Sequence, residues 1–172
     1  TTVVDAYLTP ILCRYIDRVA FELGETHLMF MQSNGGLTHA QLFQGKDSIL
    51  SGPAGGVVGM VHTAGENHFK KAIGFDMGGT SADVAVIAAN TSVLRKETVI
   101  DKNHLLLPMV DVRAIGAGGG SIAGVEEGGY LFVGPESAGA EPGPACYGKG
   151  GERPTVTDAD VVLGIIDPAQ FL

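Results

Sequence analysis

Two apolar runs, Ala72 to Phe75 and Ala82 to Ala88, are separated by Asp76-Met77-Gly78-Gly79-Thr80-Ser81. The arrangement reads as a strand, a tight turn and a returning strand. Paired glycines let the backbone reverse within a few residues and leave its N–H groups unobstructed, and the hydroxyls of Thr80 and Ser81 add donors beside them. A turn of this kind either cradles an anion or serves as a plain hairpin whose aspartate caps it. The local pattern leaves both open.

Around this unit the chain alternates helical and extended patterns. Val4, Leu8, Ile11, Tyr15, Val19 and Leu23 recur every three or four residues, which predicts an amphipathic helix kinked at Pro10 and ended by Gly24. His27 to Met31 predicts a short buried strand, followed by a turn at Ser33-Asn34-Gly35-Gly36. Ser51-Gly52-Pro53 predicts a helix start capped by Ser or Gly. The glycines that follow, Gly55 among them, are poor helix formers unless another backbone comes close.

Val93 to Ile100 predicts a third strand beside the first two, and Leu105 to Ile115 leads into Gly116-Ala117-Gly118-Gly119-Gly120-Ser121. A hairpin through Glu126 to Gly129, a Gly/Pro loop from Gly134 to Gly151 and a short last helix capped by Thr157 complete the reading. With no internal repeat and no linker-like segment, the chain reads as one α/β unit with a β-rich excursion over residues 1–172.

Composition removes whole classes of function. The net charge of −8, from 11 Lys+Arg against 19 Asp+Glu, offers no basic patch for nucleic acid or an anionic membrane. A phosphate would have to be held by backbone amides or a metal. Cys13 and Cys146 stand far apart with no metal spacing, which fits a reducing, cytoplasmic setting. Glycine, 26 of 172 residues, is clustered rather than periodic, which excludes collagen and favours functional loops.

The candidate site residues follow from these clusters. Gly78, Gly79, Thr80 and Ser81 are the expected phosphate contacts. Asp76, at the end of its strand, suits water-mediated Mg²⁺ binding or the orientation of a nucleophile, and Asp83 lies on the returning strand. Gly118, Gly119, Gly120 and Ser121 form a second glycine cluster, either an anion site or a close structural crossing. Asp111 just upstream is a candidate metal ligand and Arg113 a candidate anion contact. Glu136, Ser137, Glu141 and Cys146 lie in the Gly/Pro loop as candidate pocket residues. Cys146 has no histidine beside it to activate it.

The turn lacks the lysine of a Walker loop and the spacing of a Rossmann fingerprint. It resembles the second phosphate loop of the actin, heat-shock ATPase and sugar kinase superfamily, with Ser51 to Val57 similar to that superfamily's connecting helix. Six ordered stretches, Met31 to Gly36, Ser51 to Gly59, Phe75 to Val86, Asp111 to Ala123, Val133 to Gly148 and Pro154 to Gly164, are similar to signature segments of the hydantoinase A / 5-oxoprolinase / acetone carboxylase family.

The resemblance implies a partial actin-like (ribonuclease H-like) α/β fold with a mixed sheet and a glycine-loop insertion, together with use of ATP and Mg²⁺. It further implies a cyclic-amide substrate whose carbonyl is activated by phosphoryl transfer, and a hydantoinase B-like partner. Asp76 and Asp111 become the expected catalytic and metal residues, and Gly55 an expected contact near the nucleotide. Members often carry His at the position of Arg113. A ketone carboxylase subunit, a non-catalytic actin-like regulator and an assembly domain are the alternative readings. Nothing in Thr1 to Lys46 resembles the family's first phosphate loop, so the chain is expected to hold one half of a cleft and to show no turnover by itself.

Overall fold

The computed structural model describes residues 1–89, 91–100 and 102–170. It is a mixed α/β structure with several small sheets, and its backbone divides into two compact units. Unit 1 comprises Thr1–Gly74 with Ala85–Val112, and unit 2 comprises Phe75–Val84 with Arg113–Leu172.

Unit 1 opens with α1 (Thr2–Leu23), which carries Pro10 in its interior and ends at Gly24, where φ is 61° and the amide bonds to Ala20 O at 3.1 Å. Strands β1 (Met29–Met31) and β2 (Leu37–His39) pair antiparallel in the register Met29 with His39. The Ser33–Gly36 segment is therefore a hairpin turn rather than the exit of a buried strand, and Met29 faces solvent. Asn34 Oδ1 accepts from the Gly36 amide at 2.7 Å, which fixes the turn locally. Ser33 is a buried anchor: its amide and hydroxyl both donate to Asp47 O at 2.8 Å, and its carbonyl accepts from the Val110 amide at 2.8 Å.

A 3-10 turn at Gly45–Ser48 clamps α1 to this hairpin region. Asp5 Oδ1 accepts from the Lys46 amide at 2.8 Å, and Thr9 Oγ1 accepts from the Gly45 amide at 3.0 Å. A Cβ on Gly45 would stand 2.6 Å from Thr9 N, so only glycine allows this approach.

Helix α2 (Ser51–Glu66) starts after Leu50, which adopts φ 56° and ψ 26° and offers no side-chain cap. The expected Ser or Gly cap is thus replaced by a left-handed turn, with Ser51 already inside the helix. Ala54 and Val57 of α2 pack with Ala85 and Val110 to form the core of unit 1, supported by Met60, Val61 and Val112.

Strands β3 (Lys71–Met77) and β4 (Ala82–Ala88) flank the glycine turn and run on from one unit into the other. The sheet order is β3-β4-β5, with β5 (Thr91–Ser92) following directly and β8 (Val112–Ile115) also pairing with β4. The expected third strand, β6 (Leu94–Ile100), pairs instead with β7 (Asn103–Val110) as a separate antiparallel ribbon. Alternate residues of β7, Leu105, Leu107 and Met109, are buried, so one face of the ribbon closes the core.

In unit 2, β9 (Ser121–Val125) pairs antiparallel with β10 (Leu131–Ser137), with a register shift between Val133 and Ser137. A 3-10 turn at Ala145–Tyr147 precedes the last helix, α3 (Val156–Val162). Its cap is Thr155, not Thr157. Thr155 Oγ1 accepts from the Asp158 amide at 3.3 Å, and Asp158 Oδ2 accepts from the Thr155 amide at 2.8 Å. Thr157 is buried one step further on, with its amide donating to Gly119 O at 2.8 Å.

Candidate functional site

The Asp76–Ser81 turn lies in unit 2 with the second glycine cluster directly against it. In an ordinary two-residue hairpin turn the carbonyl of the first flanking residue takes the amide three residues on. Here the Gly78 amide donates to Ser81 O at 2.9 Å, but Gly78 O accepts from the Gly119 amide, also at 2.9 Å. Gly79 O accepts from the Gly120 amide at 2.6 Å. Both turn carbonyls are therefore pinned from below by Gly119 and Gly120.

Other donors of the turn stay unclaimed. The amides of Gly79, Thr80 and Ser81 donate to nothing among the described residues, and all three residues are exposed. The hydroxyls of Thr80 and Ser81 likewise have no partner among the described residues. Three adjacent unclaimed backbone donors and two hydroxyls form a concavity suited to an anion.

The two ends of the Gly118–Ser121 segment bond to each other. The Gly118 amide donates to Ser121 Oγ at 2.9 Å and the Ser121 amide to Gly118 O at 3.0 Å, closing a small loop. Its glycines are required by contact: a Cβ on Gly118 would stand 2.7 Å from Thr80 N and 2.8 Å from Gly78 O. One on Gly120 would stand 2.8 Å from Gly79 O and one on Gly119 2.6 Å from Thr157 Oγ1. Gly116 has open space at its Cβ position. Gly118 to Gly120 thus form a backbone platform under the turn, held in turn by α3 through Thr157 and by the Ala138 amide, which donates to Gly120 O at 2.8 Å.

The carboxylates are distributed differently. Asp76 is exposed and Asp83 half-buried, both in unit 2. Asp111 belongs to unit 1, where its Oδ1 lies 2.6 Å from Arg95 Nε and its amide donates to Val93 O at 2.8 Å. Among the described residues no group of three or more His, Cys, Asp or Glu is arranged to hold a metal by itself. A cation at the turn would therefore share its ligands with a bound phosphate and with water.

Gly55 of α2 belongs to unit 1, and a Cβ there would meet only Met31 at 3.8 Å. Gly52, Gly59 and Gly65 have no described atom within 4 Å of a Cβ position. At Gly52, Gly55, Gly59 and Gly65, then, the described residues supply no close backbone approach that would require glycine.

The Gly/Pro loop holds a hollow of about 240 Å³ lined by Ile122, Glu136, Ser137, Pro142 and Arg153 among others. Arg153 clamps Glu136 with two contacts of 2.6 and 2.8 Å, and this guanidinium holds the Glu136 carboxyl below its ordinary range. Ser137 is part of that lining, whereas Glu141 and Cys146 are not.

Cys146 is held by a residue the sequence reading left without a role. Burial pushes the thiol up, and its bond to Asp158 and that carboxylate's charge push it further. Burial also raises Asp158, but the Cys146 amide at 2.7 Å, the Cys146 thiol and both donors of Thr155 outweigh it and hold the carboxyl at about 2. A thiol stabilised in its protonated form is no nucleophile at neutral pH.

An apolar hollow of about 490 Å³ in unit 1, lined by Met60, Ala64, Phe69, Ile73 and Ile87 among others, has no titratable group in its wall. No described helix is long and apolar enough to cross a membrane.

The Hydantoinase/oxoprolinase family model matches residues 1–172. The chain belongs to this family. It is 46% identical to 5-oxoprolinase 1 of Arabidopsis thaliana over 99% of its own length and 14% of that protein's. Caprolactamase subunit alpha of Pseudomonas jessenii is 42% identical over 100% of this chain and 26% of the relative. The crystal structure of that organism's ATP-dependent caprolactamase superposes with a TM-score of 0.76 at 42% identity, over 96% of this chain and 25% of the other. A nucleotide-free acetone carboxylase gives a TM-score of 0.74 at 30% identity, over 92% and 23%. The chain thus spans between about a seventh and a quarter of these curated relatives.

Proposed function

We propose that this chain contributes one half of a nucleotide-phosphate site to an ATP-dependent hydrolase of cyclic amides. The observation that carries the reading is the missing bond of the turn from the Ser81 amide to the Gly78 carbonyl. Gly119 takes the carbonyl of Gly78, and the amides of Gly79, Thr80 and Ser81 are left without a protein acceptor among the described residues, on a turn that the Gly118–Gly120 platform fixes. Donors held in place before a ligand arrives stabilise transferred charge without reorganisation.

In this reading Gly79, Thr80 and Ser81 hold phosphate oxygens directly, whereas Gly78, Gly118, Gly119, Gly120 and Ser121 hold the turn. Asp76, exposed at the strand end, orients water on Mg²⁺, with Asp83 as a further polar contact on the returning strand. Asp111 stays a candidate catalytic and metal residue of the whole protein, its carboxylate paired with Arg95 within unit 1. ATP supplies the phosphoryl group that turns an inert amide carbonyl into a reactive centre. The actin-like arrangement, the opposing phosphate loop and a hydantoinase B-like partner belong to the same proposal. It is supported by the likeness to 5-oxoprolinase and caprolactamase sequences. The reading of residues 1–172 as one partial domain of that larger assembly belongs to it too.

The likeness to acetone carboxylase favours a second reading, a subunit that acts on a ketone. Measuring ADP release by the full-length protein separates them: the first reading expects release stimulated by 5-oxoproline, a hydantoin or a lactam, and the second by a ketone with bicarbonate. ADP release that none of these stimulates would favour a regulatory ATPase. Calorimetric titration of the 172-residue chain with Mg-ATP tests the half-site itself. Weak binding without turnover is expected, and sub-micromolar binding or steady hydrolysis would sink the half-site view.

A further inference from the structure

His27 and His39 meet at the open end of the β1–β2 hairpin. His39 is the register partner of Met29, and His27 lies two residues before that strand. Their Nε2 atoms are 2.8 Å apart, the ring planes are perpendicular, the ring centroids are 4.4 Å apart, and both side chains are exposed. The separation alone fits an ordinary N–H···N bond. The ring orientation says more.

Two imidazoles meeting nitrogen to nitrogen along one straight line would place their centroids about 5 Å apart. The shorter spacing of 4.4 Å, at 2.8 Å between nitrogens, means that the two ring axes are bent away from one straight line. When both axes bend to the same side, the two Nε2 lone pairs meet at one point about 2.0 Å from each nitrogen, which is the distance at which imidazole binds a divalent transition ion. An ion holding two imidazoles at adjacent square-planar or octahedral positions keeps the nitrogens about 2.9 Å apart, whereas a tetrahedral ion spreads them to about 3.3 Å.

We propose that His27 and His39 form a two-histidine chelate for a divalent transition ion that accepts adjacent positions of a square-planar or octahedral shell, Cu²⁺ or Ni²⁺ in preference to Zn²⁺. The hairpin supplies the rigidity such a chelate needs. The Ala40 amide donates to Leu28 O at 3.2 Å, extending the ladder past His39, and Phe30 stacks on Phe43 with centroids 5.0 Å apart. No third His, Cys, Asp or Glu joins the pair in a metal-sized group among the described residues, so the remaining positions are filled by water. The site lies in unit 1 and stands independently of the phosphate reading.

The test is titration of Cu²⁺ alone into the untagged full-length protein, alongside His27→Gln and His39→Gln. One Cu²⁺ is expected whose electron paramagnetic resonance shows coupling to two imidazole nitrogens and whose affinity falls at least ten-fold in either variant. Ni²⁺ is expected to bind more tightly than Zn²⁺. Both substitutions lie on exposed side chains, and unchanged thermal melting without metal identifies folded variants. Undiminished Cu²⁺ binding in both folded variants, or coupling to a single imidazole, would overturn the proposal and reduce the pair to a hydrogen bond.

Discussion

The amide of Gly120 donates to the carbonyl of Gly79 at 2.6 Å, so two glycine clusters some forty residues apart in sequence form one object. The upper cluster presents donors and the lower one holds it in shape.

Gly118→Ala and Gly120→Ala push a methyl into the turn backbone at 2.7 to 2.8 Å, where neither partner is a flexible side chain. Each is expected to cost about 1–3 kcal/mol of stability and to lower ATP-dependent activity of the full-length protein by more than ten-fold. Gly79→Ala meets nothing within 4 Å and has no positive φ to strain. It should leave the melting temperature nearly unchanged while still weakening nucleotide-dependent activity. Thermal melting beside activity assays checks the contrast, and equal melting for all three variants would refute the platform.

Asp158→Asn should remove the cap of α3 and the acceptor of the Ala145–Tyr147 turn together. The folded carboxyl sits at about 2 against about 3.9 in an unfolded chain. A depressed folded value contributes stability that is present above the unfolded value and lost as pH falls through the folded one. The group is partly solvated, so screening reduces the contribution to about 1–2 kcal/mol. The wild type should therefore exceed the Asn variant in denaturant midpoint at pH 7, and the difference should shrink between about pH 5 and pH 2.

Cys146 should alkylate slowly and Cys13 quickly, since the first is half-buried beside a carboxylate and the second is exposed. In Asp158→Asn the charge that holds the proton on Cys146 is gone, and its rate with iodoacetamide at pH 8 should rise several-fold relative to Cys13. Mass spectrometry of labelled peptides over time provides the measurement. An unchanged ratio would mean that partial burial alone protects the thiol.

Gly45→Ala sets a methyl against Thr9 N at 2.6 Å and Leu8 Cβ at 2.8 Å. Either α1 lifts from the 3-10 turn or the bonds from Lys46 to Asp5 and from Gly45 to Thr9 are lost. A destabilisation of about 1–3 kcal/mol is expected, with faster hydrogen exchange at Gly45 and Lys46. An unaltered exchange pattern would show that the clamp yields without breaking.

What the sequence disclosed was local. The three- and four-residue period of α1 and its stop at Gly24 are visible because helix signals lie within one turn, and the β3 and β4 runs stand out because both flank a glycine pair. Thr155 and Thr157 show where locality fails. Each is followed three residues later by an aspartate, so both fit a capping box, and the bridge of Thr155 to Ile122 with the bond from Ala123 N to Pro154 O selects the first. Leu50 as a left-handed helix entry carries no polar signal at all, and β2, three residues long, is too short for a period. The partnership of Gly118–Gly120 with the turn depends on a fold-wide register that composition cannot encode. The glycines were conspicuous, but the direction in which their amides point was not.

The charge of the chain and the neutrality of its turn have a consequence for range. A chain of net charge −8 repels anions across a Debye length of about 10 Å at 0.1 M salt, whereas peptide dipoles at Gly79, Thr80 and Ser81 act only within the first few ångströms. An anion is drawn in only once it is already in contact. Added salt should therefore hasten its arrival by screening the repulsion, in contrast to sites built from lysine and arginine, where the same salt slows it.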